Sequence, residues 1–318
     1  MDSQKPGTAR CDVSPVERAP RSRGLLTGCG TALVTPFTEN GEVDEQAYRA
    51  FVEWQIKEDV HFLVPCGSTG EAATMSLDEH RRVVEIAVEQ ANGRLPVVAG
   101  AGSNDTKKAI ELSKLMQDAG ATHLLHTSPM YNKPPQRGIV AHFRAIADAV
   151  QLPVVVYNVP GRTGSNVEAA TTLELAEHEN IVAVKEASGN LAQIGEIIRN
   201  RPAGFSVLSG DDAFTVPVMA EGGDGVISVT SNVVPRLVSE LTECLALGDI
   251  VQARNISHRL APWTAAAFVE SNPIPSKAAL ALMGKMQNVL RLPLVPLADA
   301  HSKLLRSSLE AVGALEKV

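Results

Sequence analysis

Aromatic residues and excess positive charge are both scarce in this chain. Its 318 residues include only 7 Phe, 3 Tyr and 2 Trp, and 29 Lys and Arg residues stand against 36 Asp and Glu residues, a net charge of −7. Nucleic-acid surfaces combine a basic patch with aromatic side chains on which bases stack. The composition therefore argues against a nucleic-acid partner and favours a small-molecule ligand.

Cysteines are few and widely separated. They form no C-x-x-C pair and no dense cluster, which argues against a zinc site and a disulfide scaffold; the four are Cys11, Cys29, Cys66 and Cys244. Structural disulfides belong to oxidising compartments, and chains without them are typical of reducing ones. We therefore expect a cytoplasmic protein.

Long apolar runs are missing as well. No stretch approaches the about 18 apolar residues that a membrane helix needs, so we expect no membrane partner. Residues 1–24 lack the apolar core of a secretory signal and mix prolines with arginines, which predicts a flexible tail. An organellar transit peptide is the alternative, disfavoured because Asp2, Asp12 and Glu17 are acidic.

The usual metal-binding patterns do not occur in the sequence. The eight histidines include no H-E-x-x-H motif, and His123 and His126 are three apart on a predicted strand and should face opposite sides. Asp211 and Asp212 open a predicted helix, where carboxylates are more often caps than metal ligands. We therefore expect no metal site.

What the chain does contain is an alternation of short apolar runs with longer stretches of helical period. Runs such as Pro153–Tyr157 are continuously apolar, so both faces of these strands must be covered, as in a parallel sheet. Eight strand–helix units predict an α/β protein, a (β/α)₈ TIM barrel. The predicted strands are Thr31–Thr35, His61–Pro65, Pro96–Gly100, His123–Thr127, Pro153–Tyr157, Ile181–Glu186, Phe205–Ser209 and Gly225–Val229.

Helix signals lie between these strands. Ser76 and Glu79 form a capping box that starts a helix, and further helices are predicted at Thr106–Ala119, Ile139–Val150 and Leu191–Asn200. An open doubly wound sheet is the alternative fold. Its dinucleotide motif must follow a strand, whereas Gly28-Cys29-Gly30 precedes one and has Leu33 at the third glycine position.

Three regions follow from this pattern: a tail at residues 1–24, a catalytic barrel at residues 25–248 and a C-terminal helical domain at residues 249–318. The last region has helical period, several prolines and no strand signal. We expect it to close one side of the barrel and to help build subunit contacts in a homo-oligomer.

The ends of two neighbouring strands carry reactive side chains. Tyr157 and Lys185 occupy the same fifth place in consecutive aliphatic runs, and barrel chemistry takes place at these carboxyl ends. A desolvated lysine amine beside a phenol can form a Schiff base with a carbonyl substrate. The alternative is a surface lysine paired with Glu186.

Two loops at the same end suit anionic ligands. In Gly67-Ser68-Thr69-Gly70-Glu71, two glycines free the backbone, so successive amides can hold a carboxylate; a plain tight turn is the alternative. Arg162 follows the Pro160-Gly161 turn after Tyr157. It either grips a carboxylate at the barrel mouth or lies in solvent.

At these residues the sequence resembles the pyruvate-dependent class I aldolases of the N-acetylneuraminate lyase family. The resemblance runs from about Leu26 to Gly313 and is carried by Gly67–Glu71, Tyr157–Gly164, Lys185–Asn190, Ser209–Asp212 and Gly225–Val229. Within that family the chain is most similar to the synthases that condense pyruvate with L-aspartate 4-semialdehyde in lysine and diaminopimelate biosynthesis.

The resemblance implies a role for each site residue. Lys185 forms the imine with pyruvate, so no cofactor is required, and Tyr157, Ser68 and Tyr131 form a hydroxyl relay, Tyr131 coming from a neighbouring subunit. The pyruvate carboxylate sits on the amides of Ser68 and Thr69. Arg162 holds the semialdehyde carboxylate, and Gly210 and the backbone of Ile227 line the pocket.

Two other functions stay open. A lyase acting on a sialic acid or a 2-keto-3-deoxy sugar acid shares the lysine, the tyrosine and the glycine-rich loop, but resembles this chain less at Arg162. Ser68 stands where the synthases more often have threonine, and the lyases also use serine here. A catalytically silent barrel that senses keto acids would need damage at Lys185, Tyr157 or Tyr131, and all three are intact.

Feedback inhibition by lysine is expected to be weak or absent. Many synthases of this kind bind lysine in a polar pocket at a dimer interface. Matching that pocket to this chain leaves only a histidine and an asparagine unchanged, and puts an ammonium group in place of a carboxylate; the matched residues are Ala72, Leu77, His80, Asn104, Lys108 and Met130.

Overall fold

Eight parallel strands form the centre of the molecule. The structure is a computed structural model and describes residues 25–316. Continuous apolar runs are buried on both faces, which fits strands enclosed by helices outside and by one another inside. The strands are β1 Gly28–Ala32, β2 Phe62–Val64, β3 Val98–Gly100, β4 His123–Thr127, β5 Val154–Asn158, β6 Ile181–Glu186, β7 Ser206–Ser209 and β8 Gly225–Ser228.

The sheet closes into a barrel. Its hydrogen-bonded order is β2-β1-β8-β7-β6-β5-β4-β3, and a parallel bridge between Leu63 and Val97 joins the two ends. Because side chains alternate along a strand, every second one points into the barrel and the others point out toward the helices. Val155 and Ala183 belong to the apolar cluster inside the barrel, whereas Val156 and Val184 pack outward against the helices. The predicted TIM barrel is confirmed.

Helices cover the outside of the barrel, and local signals set where they begin. Ser76 and Glu79 form the predicted capping box, and Asp105 accepts hydrogen bonds from two amides at the start of α3. The helices are α1 Glu45–Lys57, α2 Leu77–Ala91, α3 Thr106–Asp118, α4 Gln136–Ala149, α5 Pro160–Thr163, α6 Ala169–Ala176, α7 Leu191–Asn200, α8 Thr215–Ala220 and α9 Pro235–Ala246.

The first strand starts three residues before its predicted position. Glycines disfavour strands, so the sequence pattern placed the start at Thr31. In the structure these glycines let neighbouring strands come close together. A Cβ on Gly30 would lie 2.0 Å from the Phe62 ring, and one on Gly225 would lie 2.0 Å from the Gly28 carbonyl oxygen. Glycine lets β1 pack tightly between β2 and β8.

Three further helices follow the barrel: α10 Ile250–Ala266, α11 Ile274–Leu282 and α12 Asp299–Val312. Trp263 of α10 is fully buried, and its Nε1 donates to the carbonyl of Thr230 after β8 at 3.1 Å. This fixes the C-terminal helices over the carboxyl ends of the strands. The predicted tail at residues 1–24 lies outside the described residues. Between residues 25 and 316, none of the helices is both long and apolar enough to cross a membrane.

Candidate active site

Lys185 and Tyr157 lie side by side inside the barrel. Strands β5 and β6 pair in register at these two residues, and strand alternation points both side chains inward. The Lys185 amine lies 4.2 Å from the centroid of the Tyr157 ring. Their relative exposures are 6% and 8%, so the pair is almost fully desolvated.

The surface-lysine alternative is wrong, because Glu186 points to the other side of the strand. Its carboxylate accepts hydrogen bonds from the Ser188 amide at 2.7 Å, from Asn158 Nδ2 at 3.0 Å and from Gln193 Nε2 at 3.1 Å. Glu186 thereby links the end of β5, the loop after β6 and α7. It takes no part in neutralising Lys185.

Burial changes the acid–base properties of both groups. It lowers the pKa of Lys185 to about 7, an effect that Asp212 opposes and Arg162 reinforces. Burial also raises the pKa of Tyr157 to about 12, with Arg162 acting in the opposite direction. Near neutral pH the site therefore holds a substantial fraction of free amine beside a protonated phenol, which suits imine formation.

Asp211 and Asp212 have different roles, and only the first is the predicted cap. Asp211 accepts a hydrogen bond from the Ala213 amide. Asp212 is wrong as a cap: its carboxylate accepts from the amides of Val229 and Thr230 at 2.9 and 3.1 Å and from the Ser228 hydroxyl. Burial raises the pKa of Asp212, and those donors act against the rise. It joins the end of β8 to the loop after β7.

The glycine-rich loop after β2 forms a 3₁₀ turn at Ser68–Gly70. The amides of Gly70 and Glu71 bond back to Gly67 and Ser68 within the turn, at 3.0 and 3.2 Å, which leaves Ser68 and Thr69 to offer amides to a ligand. Thr35 Oγ1 donates to the Gly70 carbonyl at 2.8 Å and holds the turn from β1. The geometry suits a carboxylate.

Gly210 gives Lys185 room to extend. A Cβ on Gly210 would lie 2.8 Å from Ala187 Cβ and 3.1 Å from Lys185 Cε. Its amide donates to the Glu186 carbonyl at 2.7 Å and continues the β6–β7 pairing past the end of the strands. A side chain here would therefore force Ala187 or Lys185 to shift.

A cavity of about 730 Å³ opens above these residues. Its walls include five parts of the predicted site that are far apart in sequence: Lys185, Tyr157, the Ser68–Thr69 turn, Gly210 and Arg162. Arg162 itself is exposed at the mouth. Pro293 and Leu294 from the C-terminal segment complete the wall.

Two predicted site residues lie outside this group. Tyr131 is 88% exposed, with a left-handed φ of 71°, and is absent from the described residues that line the cavity. Ile227 lies deeper, in the apolar cluster inside the barrel, and Val229, two residues further on, reaches the cavity. Their roles remain predictions.

The sequence patterns missed three residues near the turn. Asn272, Lys277 and Arg291 all contact the Gly67–Glu71 loop from the C-terminal segment. A single charged residue, Lys277, in the mostly apolar stretch of α11 was the one available signal. Within residues 25–316, His, Cys, Asp and Glu form no cluster of three or more that could hold a metal ion.

The Dihydrodipicolinate synthetase family matches residues 25–312, nearly the whole described chain. The chain belongs to this family. A 4-hydroxy-tetrahydrodipicolinate synthase from Nitratidesulfovibrio vulgaris is 50% identical over 291 residues, covering 91% of this chain and 99% of the relative.

Solved structures of the family share the fold. A dihydrodipicolinate synthase from Thermotoga maritima has a TM-score of 0.90 and 42% identity, covering 92% of this chain and 100% of that one. Another, from Acinetobacter baumannii and solved in complex with pyruvate, has a TM-score of 0.89 and 41% identity, covering 91% and 99% of the two chains.

Proposed function

We propose that this chain is a lyase that condenses pyruvate with L-aspartate 4-semialdehyde to 4-hydroxy-tetrahydrodipicolinate, through an imine on Lys185. The observation that carries the proposal is a desolvated amine with a pKa of about 7, 4.2 Å from the centroid of a phenol ring. The substrate pair is supported by the similarity to relatives named 4-hydroxy-tetrahydrodipicolinate synthase. One of them is 50% identical in sequence over 91% of this chain.

In the first half-reaction the neutral Lys185 amine attacks C2 of pyruvate, and the resulting carbinolamine loses water to form the imine. Tyr157, protonated because its pKa is about 12, donates a proton to the departing hydroxyl. The pyruvate carboxylate binds the amides of Ser68 and Thr69. Loss of a proton from C3 then gives an enamine.

In the second half-reaction C3 of the enamine attacks the aldehyde carbon of the semialdehyde and forms the new carbon–carbon bond. The semialdehyde amino group then attacks the imine carbon, closes the ring and releases Lys185 unchanged. Arg162 at the mouth binds the semialdehyde carboxylate. Because the lysine supplies the covalent step, the reaction needs no cofactor or metal.

Tyr131 completes the relay from a neighbouring subunit in this proposal. Its 88% exposure is consistent with insertion into a partner's site. A hydroxyl relay from Tyr157 through Ser68 to a partner's Tyr131 would carry protons between the cavity and solvent. Activity then depends on assembly into a homo-oligomer, a dimer or a tetramer.

A coupled assay tests the substrate pair. Purified protein is supplied with pyruvate and L-aspartate 4-semialdehyde, and product is followed through a reductase that consumes it; a parallel assay follows pyruvate release from N-acetylneuraminate and from a 2-keto-3-deoxy sugar acid. We expect turnover only in the first assay. Turnover only in the second would assign a lyase, and pyruvate binding without turnover in either would assign a sensor.

A further inference from the structure

A buried ion pair lies next to the carboxylate-binding turn, and the proposed reaction does not use it. Lys277 Nζ on α11 lies 2.7 Å from Glu71 Oε1, and both side chains are 0% exposed. The two residues are 206 positions apart in sequence. Burying two charges is costly, and such a pair adds little net stability compared with an apolar pair.

Glu71 connects this ion pair to the turn. It directly follows Ser68–Gly70 and adopts a left-handed φ of 56°, which is unfavourable for a side-chain-bearing residue. Its second carboxylate oxygen accepts from the Arg291 amide at 3.0 Å. Both oxygens of Glu71 are thus held by the C-terminal segment, and the strained backbone is held with them.

A second link reaches the turn itself. Asn272 Nδ2 donates to Thr69 Oγ1 at 2.8 Å, and both residues line the cavity. Because Thr69 Oγ1 accepts this bond, its own proton is available to a ligand. Asn272 therefore presents Thr69 as a hydrogen-bond donor towards the position that a carboxylate would occupy.

We propose that Lys277 and Asn272 are positioning residues: acting through Glu71 and Thr69, they hold the Ser68–Gly70 turn in the conformation that binds the pyruvate carboxylate. The C-terminal helices thereby belong to the substrate site. This inference rests on the proposed function, and specifically on pyruvate binding its carboxylate at this turn.

Asn272→Ala and Lys277→Met test the proposal by comparing pyruvate with methyl pyruvate, whose ester lacks the negative charge. Borohydride trapping at Lys185 gives the concentration of each keto compound for half-maximal labelling. We expect both variants to raise this concentration for pyruvate about tenfold or more, and for methyl pyruvate by less than about twofold. The KM for the semialdehyde should stay within about twofold.

Asp224→Asn is the matched control. Asp224 pairs with Arg201 and accepts from the Val207 amide at 2.7 Å, at the opposite end of the barrel. This variant should lower the melting temperature and leave the preference for pyruvate over methyl pyruvate unchanged, which separates general destabilisation from misplacement of the turn.

Retention of the wild-type preference by Asn272→Ala would overturn the assignment of Asn272, and the same result for a folded Lys277→Met would overturn that of Lys277. An equal rise in the concentration for half-maximal labelling with pyruvate and with methyl pyruvate also contradicts the proposal, because it indicates a general defect of the site. The proposed function fails separately, if the wild-type protein is not labelled by pyruvate at all.

Discussion

A lysine amine attacks a carbonyl at neutral pH only when its ammonium form is destabilised, and burial has this effect on Lys185. The pKa of a lysine is ordinarily about 10.4, and here it falls to about 7. The environment that causes the shift is the same one that sequence reasoning anticipated: an aliphatic strand ending in an inward lysine. Glu186 belongs to the opposite face and is held there by Asn158.

The lowered pKa of Lys185 sets the pH dependence of imine formation. The free amine is the nucleophile, so the rate should rise with pH through about 7 and level off by about pH 8.5. Initial rates of pyruvate trapping by cyanoborohydride between pH 5.5 and 9.5 measure this. A rate that still climbs tenfold per pH unit above pH 9 would mean an amine with an ordinary pKa.

Arg162→Ala should separate the two substrates. A charge-assisted bond to a carboxylate contributes about 1.5–3 kcal/mol, so its loss should raise the KM for the semialdehyde by about 10–150-fold. Half-saturation by pyruvate should stay within about twofold in the same variant. Steady-state kinetics at saturating pyruvate provide the test, and an unchanged KM for the semialdehyde would favour a lyase.

At the scale of elements, β4, α3 and α4 enclose two buried histidines. His126 Nε2 bonds Ser113 Oγ at 3.0 Å, and His142 Nδ1 bonds Thr106 Oγ1 at 2.9 Å. Burial lowers the pKa of His126 to about 3 and that of His142 to about 4, the latter opposed by Asp105. Both histidines are therefore neutral in the folded protein at neutral pH.

These histidines should make the fold sensitive to acid. In the unfolded chain they gain protons below about pH 6.5, while the folded protein resists protonation until about pH 4 or 3. The free energy of unfolding should thus be highest above pH 6.5 and fall by up to about 1.4 kcal/mol per pH unit for each histidine. Urea denaturation at several pH values should show a shallower slope for His126→Gln; an unchanged slope contradicts this account.

Element types were predictable from sequence because each strand and helix carries its own local signal. The capping box at Ser76 and the apolar run at β5 are complete within a few residues. Contacts between distant segments have no such signal. Two examples are the ion pair of Lys277 with Glu71 and the hydrogen bond that Asp212 accepts directly after β8. Both form only once the chain has folded, so sequence spacing could not reveal them.

At the scale of the whole molecule, one chain brings the Lys185 amine, the Tyr157 phenol and the Ser68–Gly70 turn to one cavity, whereas its own Tyr131 is exposed and is absent from the described residues that line that cavity. The C-terminal segment contacts the residue after this turn, Glu71, through Lys277 of α11 and through the backbone amide of Arg291. The division into a barrel at residues 25–248 and a helical domain at residues 249–318 stays a prediction. Residues from both regions line the cavity.

Inhibition by L-lysine should be weak or absent. Lys108 is exposed and brings a positive charge to the predicted effector pocket, and the surviving His80 is buried with its Nε2 2.8 Å from the Gly100 carbonyl oxygen. Rates measured with up to several millimolar lysine check this. Lys108→Glu, which restores a carboxylate, should increase sensitivity; half-inhibition of the unmodified protein below one millimolar would refute the prediction.

The most direct test of the account is to incubate the protein with pyruvate and borohydride and map the labelled peptide by mass spectrometry. We expect the mass of one reduced pyruvate adduct on the peptide that contains Lys185, and no label on a folded Lys185→Arg variant, whose activity should fall by about three orders of magnitude or more. Labelling of a different lysine, or full activity in Lys185→Arg, would contradict it.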